Sequence, residues 1–182
     1  MQVIVKVQCQ PEEYIAHRVH ERVQRPGLCP NCHKRNQLEA HSYYDRGVTD
    51  QAGEVVEISV RRFECQYCGK TISCLPDFAI PYRLVNSTTT ECFFNGIVDI
   101  DGQRNLDLLK RYWLRFQKWA PDLRKIIGSA FSRSPPEESV EALWRRLMAA
   151  CKSLRKSTCR LIKEFRTTCF GTYQCHQPRL AH

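Results

Sequence analysis

The sequence predicts an α+β protein: a small N-terminal β zinc ribbon of the four-cysteine type, followed by an all-α, basic helical region with the parts of a helix-turn-helix. Three observations predict it. Two C-x-x-C knuckles, Cys29-Pro-Asn-Cys32 and Cys65-Gln-Tyr-Cys68, flank a stretch of β-branched and aromatic residues. Beyond residue 86 the apolar residues recur at three- and four-residue steps, the period of an amphipathic helix. The charge is also unevenly divided. Residues 103–182 hold 17 Lys/Arg against 6 Asp/Glu, so +11 lies there and −2 in residues 1–102, for a net +9.

These quantities bound the function. A chain of 182 residues makes one ordinary domain or two small ones. No apolar run approaches the length of a membrane span, and Met1 to Val7 is too short and too polar for a secretion signal. Eleven cysteines without such a signal fit a reducing compartment, so a cytoplasmic location is expected. The basic excess implies a polyanionic partner, set against the plainer reading of a solvated basic surface.

Residues 1–27 read as a strand and a short helix. Val3, Val5 and Val7 alternate with polar residues, and Pro11-Glu12-Glu13 opens a helix with Ile15, Val19 and Val23 on one face. His17 and His20 are three apart, a metal-binding spacing, but without a third ligand nearby they read as surface histidines.

Residues 28–85 read as the ribbon. Each knuckle turns tightly enough to aim two thiolates at one ion, so Cys29, Cys32, Cys65 and Cys68 are the ligands expected for one structural Zn2+. Gly69 supplies a residue free to take positive φ. His41 to Tyr44 and Glu54 to Phe63 are the strands, and Asp50 to Gly53 the turn between them. A disulfide pair or a redox motif is the alternative, but no βαβ pattern surrounds the knuckles. Arg61 and Arg62 are candidate phosphate contacts on a strand face. Cys74 reads as a buried apolar thiol, and Leu75 to Tyr82, with two prolines, as an extended strap over the ribbon.

Four segments together carry a resemblance: Arg25-Pro-Gly-Leu-Cys-Pro-Asn-Cys32, His41-Ser-Tyr-Tyr-Asp-Arg46, Val60-Arg-Arg-Phe-Glu-Cys-Gln-Tyr-Cys68 and Leu75-Pro-Asp-Phe-Ala-Ile-Pro-Tyr82. They resemble the zinc-ribbon region of bacterial insertion-sequence transposases and of small transposon-associated proteins, well over residues 25–85 and loosely over 86–130. The resemblance implies a four-cysteine ribbon ahead of a helix-turn-helix that binds element DNA.

Residues 86–133 read as helical. Thr88-x-x-Glu91 fits a capping box, followed by Cys92, Phe93, Ile97 and Val98, and Asp99 to Gln103 breaks the helix. Leu106, Leu109, Trp113, Phe116 and Trp119 then form the apolar face of a second helix, which Pro121 restarts. On its other face, Arg111, Arg115 and Lys118 are the candidate groove or phosphate contacts of a helix-turn-helix.

Residues 134–182 read as one long basic amphipathic helix and a flexible tail. Ser134, Pro135 and Glu137 form its expected start. Trp144, Leu147, Cys151, Leu154, Thr158, Leu161 and Phe165 make a seam, either packed on the preceding helices or used for homo-oligomers. Arg145, Arg146, Lys152, Arg155 and Lys156 among the remainder are candidate nucleic-acid contacts. Gly171 is the expected stop, and Cys169, Cys175 and His176 lack a fourth ligand for a second metal site.

No catalytic constellation emerges. A transposase catalytic domain needs three carboxylates on a strand-rich fold, whereas Asp99, Asp101 and Asp107 have no strand to present them. A zinc closed by four thiolates leaves no open position. The expectation is a non-enzymatic, zinc-dependent binder of double-stranded DNA, with RNA a second polyanion: an accessory or regulatory protein of a mobile element, or a transposase fragment without its catalytic part. The alternative is a protein-interaction module that docks a transposase, recombinase or other partner through the ribbon and the C-terminal helix.

Overall fold

The computed structural model describes residues 1–97, 104–128, 130–131 and 138–173. The chain forms two compact units, Met1–Asn86 and Ser87–Tyr173, and the whole is α+β. No helix among the described residues is long and apolar enough to cross a membrane.

The first unit is built on a four-stranded sheet of order β1-β4-β3-β2, with β1 Gln2–Val5, β2 Leu38–Thr49, β3 Val55–Cys65 and β4 Thr71–Pro76. β2 and β3 form the expected hairpin, longer at both ends than the residue pattern indicated. Its turn is closed by the Asp50 N–H to Glu54 O bond at 2.8 Å and by Asp50 Oδ1 accepting from the Glu54 N–H at 2.8 Å. Gly53 supplies the positive φ of 75° that this turn requires.

Two expectations for this unit change. Residues 1–27 are not a separate leading segment, because β1 pairs in parallel with β4, Val3 opposite Cys74. The Met1 amino group bonds Thr71 O at 2.8 Å, locking that register across 70 residues of sequence. The strap also begins as a strand, since β4 carries Leu75 and Pro76, and only the following segment crosses irregularly. That segment is held by the Arg46 guanidinium, which donates to Ile80 O at 2.7 Å and Arg83 O at 2.6 Å. The Asn86 side chain fixes its far end through Thr49 O and Asp50 O.

The N-terminal helix is shorter than its apolar spacing indicated. α1 spans Pro11–Ala16, with the Glu13 carboxylate accepting from the Gln10 N–H at 3.1 Å. Arg18 then takes the left-handed conformation at φ 47°, and Val19–Arg22 form a 3-10 turn. Ile15, Val19 and Val23 therefore do not share a helical face.

Strand alternation puts apolar side chains on both faces of this sheet. One cluster gathers Tyr14, Val48, Ile58, Val60, Leu75, Phe78 and Ala79. The other gathers Cys29, Leu38, Phe63, Cys65, Ile72 and Cys74, so the knuckle cysteines continue directly from a hydrophobic core. Cys74 is a buried thiol pushed up to about 12 by desolvation, as its apolar setting suggested.

The second unit comprises α2 Ser87–Phe94, α3 Leu106–Ile127, α4 Val140–Cys151, α5 Leu154–Phe165 and a hairpin of β5 Thr167–Thr168 and β6 Gly171–Thr172. Phe94 organises its aromatic core, with ring centroids 4.8 Å from Trp113, 4.9 Å from Trp144, 5.9 Å from Phe116 and 6.1 Å from Phe170. Trp144 meets its polar requirement by donating Nε1–H to Asn95 Oδ1 at 2.8 Å.

Three boundaries here differ from expectation. α3 runs through Pro121, which lies on the exposed side of the helix. Burial of Ala120, Leu123 and Ile127 on the opposite side holds the helix together there. The long C-terminal helix is two helices. Lys152 ends α4 in the left-handed conformation at φ 70°, and Ser153 Oγ caps α5 by accepting from the Lys156 N–H at 3.2 Å. The Glu91 carboxylate accepts from the Leu154 N–H at 2.7 Å, which supports the same break. Finally, Arg166, not Gly171, ends α5, and residues expected in helix and tail form the β5-β6 hairpin.

The described start of α4 is Val140, capped by Ser139 accepting from the Ala142 N–H at 3.1 Å. The expected cap residues Ser134, Pro135 and Glu137 lie outside the described residues, as do Val98, Asp99, Asp101, Cys175 and His176.

Candidate metal centre and basic surfaces

The four knuckle cysteines converge. Their Sγ atoms all lie within 4.8 Å of one another, with Cys29–Cys68 and Cys32–Cys65 both at 3.7 Å. All four are free thiols. A disulfide would need about 2.05 Å between sulfurs. A tetrahedron with metal–sulfur bonds of about 2.3 Å has edges of about 3.8 Å, so the spacing suits one tetrahedral ion.

The two knuckles are near copies in backbone. Cys29 N–H donates to Lys34 O and Cys65 N–H to Lys70 O, each at 3.0 Å. His33 N–H returns to Cys29 O and Gly69 N–H to Cys65 O, at 2.9 and 2.8 Å. Both returning residues are left-handed, His33 at φ 59° and Gly69 at φ 64°. The glycine was legible as a turn residue. The histidine was not, and it stores the strain a non-glycine residue has there.

The sulfurs sit among donors suited to thiolates. The Asn31 and Cys32 amides point at Cys29, the Lys34 amide at Cys32 and the Lys70 amide at Cys68. The Asn31 side chain crosses to the other knuckle and donates Nδ2–H to Cys68 Sγ at 3.4 Å. Burial still pushes the Cys29 thiol up to about 12. Desolvation opposes ionisation of Cys68 as well, but the Lys70 amide, Asn31 and the neighbouring thiols bring it down to about 7. Four close thiols cannot all ionise without a cation, and a bound cation is what such a site supplies. The donor set and spacing fit a metal ion held by these four cysteines.

The two strand candidates for nucleic-acid contact do not share a face. Arg61 and Arg62 are adjacent on β3 and so point to opposite faces. Arg61 stacks over Tyr43 and Phe63 and donates to the Tyr43 hydroxyl, whereas Arg62 lies 5.9 Å over Tyr44. Arg115 donates Nε–H to Phe170 O at 2.8 Å, tying α3 to the β5-β6 hairpin. Arg146 is spent inside the fold. It makes two 2.9 Å bonds to Glu138, with only 8% and 2% of the two side chains exposed, and Arg124 approaches the same carboxylate at 3.7 Å.

Other candidates face water. Arg111, Lys118, Arg145, Lys152 and Lys156 are exposed, and Arg155 is half-buried. Sequence reasoning underweighted Lys163 and Arg166, which share the α5 region with Lys152 and Lys156. Of the Trp144 to Phe165 seam, every residue through Leu161 is buried within the unit and Phe165 is half-buried, which favours its packing on the preceding helices over self-association. α2 and α3 do not meet through a short turn: residues 95–105 separate them, where a helix-turn-helix uses about three or four. α4 and α5 do, across Lys152 and Ser153 alone.

Residues 29–112 match a family model described as a domain of unknown function (DUF6431), a span that begins at the first knuckle cysteine and ends within α3. No curated protein and no solved structure matches the chain. The chain is thus similar to that domain through the metal centre and the first helices of the second unit.

Proposed function

We propose that this protein is a zinc-organised binder of duplex DNA that grips the phosphate backbone with α5 and its flanks. One observation carries the reading. Lys152, Lys156, Lys163 and Arg166 are exposed along one fifteen-residue segment, and none has a side-chain partner among the described residues. Residues 152–166 hold six Lys/Arg against the single Glu164, while the opposite face of α5 buries Leu154, Thr158, Leu161 and Ile162. α5 follows α4 across two residues, so it is the better candidate than α3 for a helix entering a groove. Unpaired lysines of this kind neutralise phosphates and release counterions, which makes binding salt-dependent and largely blind to sequence.

In this reading one Zn2+ held by Cys29, Cys32, Cys65 and Cys68 supplies folding free energy to the first unit and takes no part in chemistry. The resemblance of residues 25–85 to transposase ribbons supports an accessory role in a mobile element, or descent from a transposase without its catalytic part.

The test is fluorescence anisotropy of the zinc-loaded chain with a labelled duplex, titrated from about 50 to 200 mM salt. A Lys156→Glu/Lys163→Glu variant is the comparison. Affinity that falls by orders of magnitude over that range, and is weakened at least tenfold by the double reversal, is the expected result. A duplex RNA of the same length separates the two polyanions. Binding that ignores both salt and the reversal would overturn the reading and favour a protein-docking role.

A further inference from the structure

The knuckle tip of the first unit carries a second feature, distinct from the four-cysteine cluster itself. Tyr67 stands between Cys65 and Cys68 with its side chain 65% exposed, although it lies beside the most tightly organised part of the unit. The Lys34 ammonium of the other knuckle sits 5.2 Å from the ring centroid, so both knuckles contribute to one surface. Leu28, 47% exposed, precedes the first cysteine. The segments 28–36 and 66–70 contain Lys34, Arg35 and Lys70 and no acidic residue, and all three cations are exposed without an ion-pair partner among the described residues.

A ring present only to shield the sulfurs would be buried against them. This one presents most of its surface to water, flanked by unpaired cations. With zinc bound, four thiolates and one dication leave two negative charges beneath the tip, and three cations more than offset them. An exposed aromatic face among unpaired cations is the arrangement that stacks a base and neutralises its phosphates, and it needs a base that is not already stacked in a duplex.

From this geometry we infer that the knuckle tip is a binding site for unpaired nucleotides of single-stranded DNA. Tyr67 stacks one base, and Lys34, Arg35 and Lys70 contact the adjoining phosphates. The inference rests on the nucleic-acid reading above and adds a second, chemically different site to it. Stacking is tolerant of sequence, because every base has a face.

The experiment uses the zinc-loaded full chain with two labelled probes, an oligothymidylate of about 15 nucleotides and a duplex, and three variants: Tyr67→Ala, Tyr67→Phe and Lys34→Ala. Tyr67→Ala should weaken binding to the single strand about tenfold while leaving the duplex within about twofold. Tyr67→Phe, which keeps the ring, should stay within about twofold on both. Lys34→Ala should flatten the salt dependence on the single strand by about one phosphate contact. Single-strand affinity unmoved by Tyr67→Ala, with duplex binding intact in the wild type, overturns this site alone. Absence of binding to either probe overturns both this site and the duplex reading. A Tyr67→Ala chain that loses its metal would show the ring to serve the centre, which also overturns the inference.

Discussion

The two units solve the same problem with different chemistry. The first spreads its apolar residues over both faces of a four-stranded sheet, so neither cluster is large, and it draws four cysteines into one of them. The second gathers Trp113, Trp144, Phe116 and Phe170 around the ring of Phe94. The contrast teaches where cohesion comes from when a core is divided. A small divided core needs a cross-link, and four cysteines placed to hold one ion offer it, whereas an aromatic core can hold its helices unaided.

The largest expected effect follows directly. Removing the metal with a strong chelator, or changing Cys65→Ser, should unfold the first unit and leave the second folded. Structural zinc in small domains contributes about 10–16 kcal/mol of apparent binding free energy, comparable to the whole stability of an ordinary domain. Amide NMR signals of Leu38 to Pro76 should collapse while the helical circular dichroism persists. Helices that melt together with the sheet would break the comparison.

The reciprocal experiment acts on Phe94. Truncation to alanine should cost somewhat less than that of a fully buried Phe, about 3–5 kcal/mol, because Phe94 is half-buried, and should lower the melting temperature of the helical signal. Zinc content should stay at one ion per chain. A Phe94→Ala protein that also releases zinc would mean that the units do not stand independently.

A smaller effect is expected within the second unit at Glu138. Its carboxylate is 2% exposed and takes both bonds from Arg146, so Glu138→Ala leaves a buried guanidinium without its counter-charge. Breaking one partner of such a pair costs about 3–5 kcal/mol at full burial, and a value near the lower end is expected because Gly128 O also lies within reach of Arg146. A double change of Glu138 and Arg146 to leucine and methionine should recover most of that loss, since desolvation of a buried pair consumes much of its attraction. Urea denaturation of the three proteins measures both steps.

How far this organisation was legible depended on the range of the interaction concerned. The knuckles and the turn at Asp50 to Gly53 act over two to five residues, and the sequence carried them, whereas the Thr88-Glu91 box expected for α2 does not form, because the Glu91 carboxylate accepts from the Leu154 N–H instead. The pairing of β1 with β4 spans 70 residues and left no local trace. Phe94 was passed over because Phe93 stands beside it, both half-buried, and only packing on Trp113 of α3 and Trp144 of α4 sets Phe94 apart. The break at Lys152 was hidden because the apolar steps keep their phase across it, so two helices read as one. Arg146 looked like a surface cation because its partner lies eight residues earlier, ahead of the helix cap and off the usual three- and four-residue spacings.

The smallest expected effect tests how finely the metal centre is tuned. Asn31 lies in the first knuckle, yet its side-chain amide donates to a sulfur of the second, Cys68, at 3.4 Å. Such a bond stabilises the thiolate and fixes its direction, and loss of comparable supporting bonds around metal ligands weakens affinity about 10–100-fold. Backbone amides already reach three of the four sulfurs, so the lower figure is expected for Asn31→Ala, about tenfold in competition with a chromophoric chelator. With the first unit folded by its metal, as proposed above, the same change should lower its stability by about 1.4 kcal/mol and leave the melting of the helices where it was. An unchanged affinity would assign the tuning to the backbone amides alone, making the doubled knuckle, rather than any side chain around it, the device that holds the ion.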